Sequence, residues 1–455
     1  MTTPHPLTLD TSKQNAHLTF KQNQHMGRHG WLRLTPAYSV QLVSKILEAR
    51  RDAAAILDPF SGTGTTALCA AYMGLTATGL ELNPFLVWFS SIKFRRFSAT
   101  SIEEARSLGA AIAAASSSAS GPTANPPPIH NIERWWDEDE LRFLCKLKAC
   151  ILDRTEQGTT ARDLLLVAFC RTLITLSNAA FNHQSMSFKD ADKSPTLFSM
   201  GRDNAGVFGK ELAFVLDGAT DNPRTLPSVM PGDARQASRF LGNKFDLVIT
   251  SPPYPNRISY IRELRPYMYW LGFLADGRDA GEHDWRAIGG TWGVATSRLA
   301  DWKPSGNAFT PAHLRKSLVG ISDPKNENGR LLANYVAKYF EDMWQHLSDI
   351  GRILNTNAEV HYVVGNSTFY GTLLPVEDIF KAMLQEAGFA DVSIVRLRKR
   401  NSKAELFEFD VTARKSQSSG HSIVCEPRRV SHKPLRTRSR LTRARAVRVR
   451  GRHSR

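Results

Sequence analysis

The sequence predicts an α/β protein with a doubly wound, mainly parallel sheet, a mainly helical insertion and a disordered basic C-terminal tail. Two observations predict the sheet. Residues 53–84 form the pattern of a strand, a glycine-rich loop, a helix and a second strand that ends in an acid, which is how a doubly wound sheet opens. Farther along, the apolar sequence FDLVIT at residues 245–250 predicts a buried strand that runs into SPPY at residues 251–254.

Composition and patterning divide the chain into four regions. Residues 1–100 open the sheet, residues 101–225 form the helical insertion, residues 226–413 complete the sheet, and residues 414–455 form the tail. Within the third region, the stretch 272–330 shows no clear periodicity and is predicted to be irregular. Helices are predicted at residues 38–50, 66–73, 101–116, 134–153, 161–178, 334–354 and 375–387, and further strands at 75–80, 360–364, 392–397 and 406–411.

The basic residues are concentrated at the C-terminus. Of a formal net charge of +16, the segment 414–455 carries +13, from twelve Arg, two Lys and one Glu, which leaves +3 for residues 1–413. A segment of this composition without apolar periodicity is predicted to be disordered. It either adds salt-dependent affinity for a polyanion or is dispensable, and the nearly neutral body does not by its charge alone predict a nucleic-acid partner.

Compartment and metal content follow from what the chain lacks. No apolar run is long enough to span a membrane and no signal-peptide core is present at the start, so a cytoplasmic protein without a membrane partner is expected. The cysteine spacing matches neither a CxxC pair nor a zinc pattern, so we expect reduced thiols and no metal site. The five cysteines are Cys69, Cys145, Cys150, Cys170 and Cys425.

The glycine loop DPFSGTGTT, at residues 58–66, is a candidate ligand site. Glycines after a strand permit a tight turn and a close approach of a ligand to the backbone, and the helix that begins near Thr65 points its first amides into the loop. Glu81 follows Asp58 by 23 residues and ends the next strand, where an acid can accept hydrogen bonds from both hydroxyls of a ribose. Together these features favour a nucleotide-like cofactor.

The sequence SPPY is a candidate catalytic segment. Consecutive prolines donate no backbone hydrogen bonds and hold the chain extended, so that carbonyl oxygens point in fixed directions. An exocyclic amine of cytosine or adenine is a poor nucleophile, because its lone pair is delocalised into the ring. Two acceptors, Ser251 and the Pro252 carbonyl, would draw such an amine toward tetrahedral geometry, and Tyr254 would stack on the base.

Together, DPFSGTGTT, Glu81 and SPPY resemble the DNA amino-methyltransferases, which form N4-methylcytosine or N6-methyladenine. The resemblance covers about residues 25–413. It implies a Rossmann-like, S-adenosylmethionine-dependent methyltransferase fold that acts on a flipped base of double-stranded DNA. Carried over by position, it implies catalytic roles for Ser251, Pro252, Pro253 and Tyr254, and cofactor contacts from Thr35, Asp58, Phe60, Gly62, Gly64, Thr65, Glu81 and Asp233.

Within that resemblance, each part of the cofactor has its own candidates. Phe60, Gly62 and Gly64 would surround the methionine portion, and Asp58 would lie near its polar end. Asp233 resembles the acid on the adenine side. Thr35 belongs to WLRLTPAYS at residues 31–39, which resembles the segment that closes over the methionine carboxylate.

Motif order and one missing motif narrow the reaction. The glycine loop precedes SPPY, which excludes the circularly permuted arrangement of the family. No Pro-Cys step occurs in the chain, so methylation of cytosine C5 through a cysteine nucleophile is disfavoured. Direct transfer to nitrogen is expected without a metal, since a sulfonium already makes the methyl carbon electrophilic. His361, on a predicted strand, is expected to be a packed core residue.

Two regions compete for target recognition. One is the insertion, including residues 178–189. The other, which we prefer, is the stretch 272–330, whose aromatic and basic residues include Trp285, Arg286, Trp292, Arg298, Trp302, Arg315 and Lys316. The basic cluster at residues 396–408 either contacts DNA phosphates or forms a solvated turn.

Several functions remain open at this point. The serine of SPPY favours cytosine N4 as the target, with adenine N6 as the alternative. RNA N-methylation and an inactive DNA-binding protein are more distant alternatives. A role in restriction-modification implies double-stranded DNA as the substrate, a monomeric enzyme and a cognate restriction endonuclease encoded nearby.

Overall fold

The computed structural model describes residues 22–34, 39–180, 187–188, 202–242, 244–257, 259–291, 294–400 and 406–416. Some of the sequence predictions fall outside the described residues. These are the cofactor contact by Thr35, the side chain of Trp292, most of the candidate recognition stretch at 178–189, and the tail beyond Ser416.

Eleven strands occur among the described residues, and seven of them form one central sheet. The strands of that sheet are β1 (Ile56–Asp58), β2 (Ala77–Glu81), β5 (Ser228–Pro231), β6 (Phe245–Thr250), β7 (Leu354–Gly365), β10 (Phe389–Lys399) and β11 (Phe407–Lys415). Two short hairpins account for the rest: β3 (Ala179–Ala180) with β4 (Ser187–Phe188), and β8 (Ser367–Phe369) with β9 (Thr372–Leu374).

Helices surround the sheet and fill the insertion. Those of the amino-terminal part are α1 (Val40–Ala49), α2 (Thr65–Tyr72) and α3 (Pro84–Lys93), and those of the insertion are α4 (Ala99–Ser117), α5 (Glu138–Arg154), α6 (Thr160–Thr175) and α7 (Asn204–Thr220). The later helices are α8 (Ala237–Phe240), α9 (Tyr260–Trp270), α10 (Gly277–Arg286), α11 (Val294–Asp301), α12 (Ala312–Ile321), α13 (Gly329–Ile350) and α14 (Val376–Glu386).

The strand order of the central sheet is β5-β2-β1-β6-β7-β11-β10. Strands β5, β2, β1, β6 and β7 run parallel, whereas β11 is antiparallel to both β7 and β10. On one side of the sheet's centre β1 is followed by β2 and β5, and on the other side β6 is followed by β7. The strand order therefore reverses between the neighbours β1 and β6. Such a switch point leaves a crevice beyond the carboxyl ends of the strands, where α/β proteins bind ligands. The predicted fold class, an α/β Rossmann-like sheet with a mainly helical insertion, is confirmed.

Helices cover both faces of the sheet, which explains why Leu247, Val248 and Ile249 of its central strand form a continuous apolar run. In β6, Leu247 and Ile249 pack against α1 and α2, whereas Val248 packs against α13 and α14 on the opposite face. The insertion has a separate hydrophobic core, which it shares with α3 and α9. Trp136 lies in this core, where its indole N–H donates to the Leu173 carbonyl at 2.9 Å and its ring meets Trp270 edge to face.

The expectation of irregular structure in the stretch 272–330 is wrong, because α10, α11 and α12 lie within it. Each helix is short, so tertiary packing stabilises it more than its own periodicity predicts. Helices α11 and α12 pack against α13, and α10 packs against α9 and α11. Two of the residues considered for DNA contact are used inside the protein. The Arg298 guanidinium pairs with Glu282 and lies 5.5 Å from the centre of the Trp285 ring.

His361 is a packed core residue, as expected, and it is also part of an ion-pair network. Its Nδ1 lies 2.8 Å from Asp410 on β11, and its Nε2 lies 3.0 Å from Glu359, which in turn pairs with Arg50 at 2.6 Å. Although burial opposes the charged form, the two carboxylates raise the pKa of His361 to about 9. The network connects β7 with β11 and with the end of α1.

The structure describes four of the five cysteines. Cys69, Cys145, Cys150 and Cys170 are free thiols in buried positions. Among the described helices, none combines the length and the apolar character that a membrane span requires.

Arg28 joins the amino-terminal segment to the ends of two helices. The side chain is only 1% exposed, and all of its N–H groups face neutral oxygen acceptors rather than a carboxylate. Three of these acceptors are carbonyls at the carboxyl ends of α3 and α7, where the helix dipole is negative. The acceptors are the carbonyls of Lys93, Arg95, Gly218 and Ala219 and the side-chain oxygen of Asn222, at 2.5–3.0 Å.

We predict that Arg28→Met lowers the free energy of unfolding by about 3 kcal/mol, because it leaves several buried acceptors without donors. Arg106→Met is the matched control, since the Arg106 side chain is 52% exposed and pairs only with Glu103 within α4. The control is expected to change stability by less than about 0.5 kcal/mol. Urea unfolding of both variants measures the difference, and equal midpoints for the two variants would contradict this role of Arg28.

Candidate active site

A cavity opens at the switch point, beyond the carboxyl ends of β1, β2, β5 and β6. It contains about 870 Å³ of empty space including its open mouth. The strands bring together residues that are far apart in the sequence. Among the predicted site residues, the cavity is lined by Phe60, Gly62, Glu81, Asp233, Ser251 and Pro253.

The glycine loop bends back so that its backbone meets Glu81. Gly62 has a φ of +53°, and its N–H donates to Glu81 Oε2 at 2.7 Å. The other carboxylate oxygen, Oε1, accepts from the Asn83 N–H at 2.8 Å. A carboxylate offers about four lone-pair positions, so acceptor capacity remains for ligand hydroxyls in the cavity.

Burial gives Glu81 an unusual pKa. Removal from water raises the pKa to about 7, although hydrogen bonds from the backbone of Asn83 and Gly62 oppose the shift. The nearby carboxylate of Asp58 acts in the same direction as burial. The charge of Glu81, and with it the capacity to accept hydrogen bonds, therefore changes near neutral pH.

Helix α3, which the sequence analysis did not identify, supports the glycine loop. Ser90 Oγ donates to the Gly62 carbonyl at 3.2 Å, and Lys93 Nζ donates to the Thr63 carbonyl at 2.8 Å. Both side chains are fully buried, and burial lowers the pKa of Lys93 to about 7. Two donors one helical turn apart thus hold two consecutive loop carbonyls.

Asp58 does not line the cavity. It lies beneath the loop, where its Oδ1 accepts hydrogen bonds from the Phe60 N–H at 3.1 Å and from Thr250 Oγ1 at 2.6 Å. Thr250 is the last residue of β6 and directly precedes Ser251. Asp58 therefore joins the glycine loop to the start of SPPY.

Gly64 and Thr65 also lie outside the cavity lining and form the start of α2. Gly64 is the N-cap with a φ of +76°, and a Cβ atom there would lie 2.5 Å from the Phe94 ring. Thr65 is buried as the first residue of the helix. The aromatic ring of Phe60, by contrast, faces the cavity and packs edge to face on His346 at 4.8 Å.

Asp233 lines the cavity beyond the end of β5 and is held by Arg235. The Arg235 guanidinium lies between Asp233, at 2.6 Å, and Asp342 of α13, at 2.9 Å. Burial raises the pKa of Asp233, but hydrogen bonds and charge from Arg235 outweigh this and lower it below the usual value. Asp233 is therefore ionised at neutral pH and fixed in orientation.

Ser251 is oriented by the neighbouring strand. Its hydroxyl donates to the Val363 carbonyl of β7 at 3.1 Å, and it lies 3.4 Å from the Tyr254 hydroxyl. Since the single hydroxyl hydrogen is used within the protein, the oxygen lone pairs are the groups that a ligand N–H can meet. The next two residues, Pro252 and Pro253, have no N–H to donate.

Tyr254 is held from the other side by the last two strands of the sheet. Its hydroxyl donates to Glu408 of β11 at 2.9 Å, and Glu408 in turn forms an ion pair with Arg398 of β10 at 2.8 Å. Burial and the Glu408 charge raise the pKa of Tyr254 well above its usual value, so the hydroxyl remains a donor. The Arg400 guanidinium lies 5.1 Å from the centre of the Tyr254 ring.

Helices α9 and α10 contribute a wall of the cavity that was not predicted from the sequence. Tyr260, Ile261 and Leu264 of α9 and His283 of α10 line the cavity, together with Ile288 just after α10. Most of these side chains are apolar, so they add apolar surface to a cavity whose lining also includes Glu81 and Asp233. No local motif marks these residues, and Pro266 inside α9 argues against a helix at that position.

The chain is similar in sequence to two type II methyltransferases. No family model matches the chain. It is 20% identical over 448 residues to the type II methyltransferase M.BsoBI of Geobacillus stearothermophilus, covering 88% of this chain and 86% of that protein. It is 21% identical over 381 residues to the type II methyltransferase M.MvaI of Kocuria varians, covering 78% of this chain and 79% of that protein.

Among solved structures, TrmN from Thermus thermophilus aligns with a TM-score of 0.28 and 10% identity, covering 88% of this chain and 53% of its own. The fold assignment therefore rests on the sheet topology described above.

We predict that Gly64→Ala lowers the free energy of unfolding by about 2–4 kcal/mol, because it combines an unfavourable positive φ with a clash against Phe94. Gly209→Ala is the matched control, since Gly209 lies on the exposed side of α7 with open space around it. The control is expected to raise stability by about 0.5–1 kcal/mol. Chemical denaturation distinguishes the two, and equal stability of both variants would refute the tight packing of the loop on α3.

Proposed function

We propose that this protein is a site-specific DNA methyltransferase that transfers a methyl group from S-adenosylmethionine to the exocyclic amine of a flipped base, most readily cytosine N4. The main observation behind this proposal is that Glu81 and Ser251 line the same cavity at the switch point of the sheet, with the Ser251 hydroxyl held in a fixed orientation. Similarity to two type II methyltransferases over 78% or more of the chain supports the reaction and the substrate. The same similarity supports a role in a restriction-modification system beside a cognate endonuclease.

The residues of the cavity fit the cofactor. Glu81 retains acceptor capacity for ribose hydroxyls, and the apolar surfaces of Ile261 and Ile288 suit an adenine ring. Asp233 also lines the cavity, is ionised and would accept a hydrogen bond from the adenine amine. The sulfonium of the bound cofactor supplies an electrophilic methyl carbon.

The chain's own contribution to the reaction is the positioning of the amine. The Ser251 oxygen and the Pro252 carbonyl accept its two N–H bonds and turn its lone pair away from conjugation with the ring. Tyr254 lies beside them with its hydroxyl fixed by Glu408. Catalysis in this form depends on orientation and on preorganised acceptors rather than on a covalent intermediate or a metal.

Target recognition is assigned to residues 272–330, which follow the catalytic segment and include part of the cavity wall. Residues 1–100 and 226–413 then form the methyltransferase domain, and residues 101–225 form an accessory helical unit. We propose that the enzyme acts as a monomer, because one flipped base needs only one pocket. The tail, residues 414–455, contributes sequence-independent affinity.

The first test is the identity of the product. DNA from a methylation-free host that expresses the protein is digested to nucleosides and measured by mass spectrometry. N4-methylcytosine is the expected product. N6-methyladenine would keep the reaction and change the base, whereas unmodified DNA together with methylated RNA would overturn the proposal.

We predict that Ser251→Ala lowers kcat by about 100- to 1,000-fold, because it removes one of the two acceptors that orient the amine. Tyr254→Ala is expected to abolish detectable product. Ser120→Ala, at an exposed serine of the helical insertion, is the matched control and should retain full activity. Cofactor affinity, measured by calorimetry, should be unchanged in Ser251→Ala. Full activity of Ser251→Ala would show that the Ser251 oxygen is not a required acceptor for the amine.

Cofactor affinity is also predicted to depend on pH through Glu81. With a pKa of about 7, Glu81 is protonated below that pH and loses its acceptor capacity for hydroxyls. Affinity should therefore fall by up to about tenfold per pH unit below neutrality and level off above it. Asp233 remains ionised throughout this range because its pKa is lowered.

Calorimetry with S-adenosylmethionine on both sides of neutral pH measures this effect. Lys93 titrates in the same range, so Glu81→Gln is needed to separate the two groups. The variant should bind more weakly and show a flatter profile. If the slope persisted undiminished in Glu81→Gln, Glu81 would not be its source.

A further inference from the structure

A second cavity lies on the other side of the catalytic segment from the cofactor cavity. It encloses about 790 Å³ of empty space and is bounded by the chain just after SPPY, by the β8–β9 hairpin and by the ends of β10 and β11. Asn256, Arg257 and Arg400 contribute its polar wall together with Asn366 and Ser367. The proposed reaction uses none of these residues.

Among the described residues, the charged side chains that line this cavity are all positive. Arg257 and Arg400 both line it, and no Asp or Glu of the described residues does. Nor does any carboxylate among the described residues form an ion pair with either guanidinium, whereas Arg398, two residues before Arg400, is neutralised by Glu408. Arginine is the side chain best suited to phosphate oxygens, because its planar N–H groups match their geometry.

Each arginine is held in place by the surrounding structure. Arg257 has a φ of +62°, rare for a residue with a Cβ, and its backbone N–H donates to the Tyr335 hydroxyl at 3.2 Å. Arg400 donates one N–H to the Asn366 carbonyl at 2.6 Å and stacks on Tyr254. The strained backbone of Arg257 is of the kind that persists at functional sites.

Ser367 is an independent indication of a ligand. The residue is 5% exposed, and its hydroxyl has no hydrogen-bond partner among the described residues. A buried hydroxyl without a partner destabilises the folded protein, and a ligand oxygen at this position would offset that cost. The hydroxyl thus adds a neutral donor to the two guanidinium groups.

Residues of one short segment, 251–257, line both cavities. Ser251 and Pro253 line the cofactor cavity, whereas Asn256 and Arg257 line the second cavity. The absence of a side chain at Gly365 permits close contact beside this segment, since a Cβ there would lie 2.7 Å from Arg400 Nη1. A group bound in the second cavity is therefore adjacent to whatever lies against Ser251.

We propose that the second cavity binds a backbone phosphodiester of the DNA substrate, next to the nucleotide whose base is methylated. The proposal rests on the DNA methylation proposed above. In this arrangement Arg257 and Arg400 each contact the phosphate oxygens and Ser367 adds a hydrogen bond. Holding the backbone there fixes the flipped nucleotide without any contact to base edges, so the interaction positions the strand and carries no sequence information.

The test compares Arg257→Gln and Arg400→Gln with the wild-type protein in DNA binding. Arg352→Gln is the matched control, since Arg352 is an exposed arginine that precedes β7, at the end of the strand opposite the cavity. A short labelled DNA duplex is the binding probe, titrated at several salt concentrations. Genomic DNA from a methylation-free host is the substrate for turnover, and S-adenosylmethionine binding is measured by calorimetry.

Each cavity variant is expected to bind DNA about tenfold more weakly at low salt. The slope of log K against log salt should become shallower by about 0.9 for each phosphate charge that the variant no longer neutralises. Cofactor affinity and the Arg352→Gln control should match the wild type. Arg257 is exposed, so its substitution is not expected to disturb folding, and thermal unfolding of both variants checks this.

Two results would overturn the proposal. One is that both cavity variants bind DNA with the same affinity and the same salt slope as Arg352→Gln. The other is an Arg257-dependent binding of inorganic phosphate without any change in DNA affinity, which would assign the cavity to a free anion. Failure of the proposed function gives a different pattern, because wild-type protein would then leave DNA unmethylated whatever the salt slopes.

Discussion

The hydrogen bond from Thr250 to Asp58 is the interaction on which the geometry of the active site depends. It spans 2.6 Å between two buried side chains at the ends of β6 and β1. The two residues are 192 positions apart, and one adjoins the SPPY segment while the other begins the glycine loop. Because the same Asp58 oxygen also accepts from the Phe60 N–H, one buried acid fixes the loop relative to the catalytic segment. Misplacement by about 1 Å can cost an enzyme 100-fold in rate, so a short charge-assisted bond suits this position.

The three acids implied by the family resemblance occupy three different environments. Asp58 lies beneath the loop, where its carboxylate accepts hydrogen bonds from the Phe60 N–H and the Thr250 hydroxyl. Glu81 faces the cavity, with half of its acceptor capacity committed to backbone amides and a pKa raised to about 7 by burial. Asp233 faces the cavity with its charge balanced by Arg235. Similar side chains thus divide into a structural acid, a titrating acceptor and a permanently ionised one, and the division follows from burial and neighbouring charge rather than from the motif itself.

The parts of the fold that could be predicted from the sequence are those marked by a short local motif. The glycine loop and the strand ahead of SPPY have short signals of their own, and they predicted the doubly wound sheet. Helix α3 was missed because PFLVWFSSIK is apolar almost throughout, and a helix buried on most sides has no polar face to reveal its period. The polar residues that hold the loop, Ser90 and Lys93, lie on that helix. The cavity wall from α9 and α10 was missed for another reason, since its residues approach the loop only through tertiary packing.

The antiparallel end of the sheet explains how the catalytic segment acquires a fixed shape. A stretch with three prolines has few N–H groups with which to join a strand ladder, so its side chains must secure it. Ser251 bonds to β7 and Tyr254 bonds to Glu408 of β11, the neighbouring strand. Since β10 and β11 form a hairpin, Arg398 lies directly across from Glu408 and holds that carboxylate in place. The last strands of the chain therefore complete the site, because their side chains orient a segment whose backbone cannot orient itself.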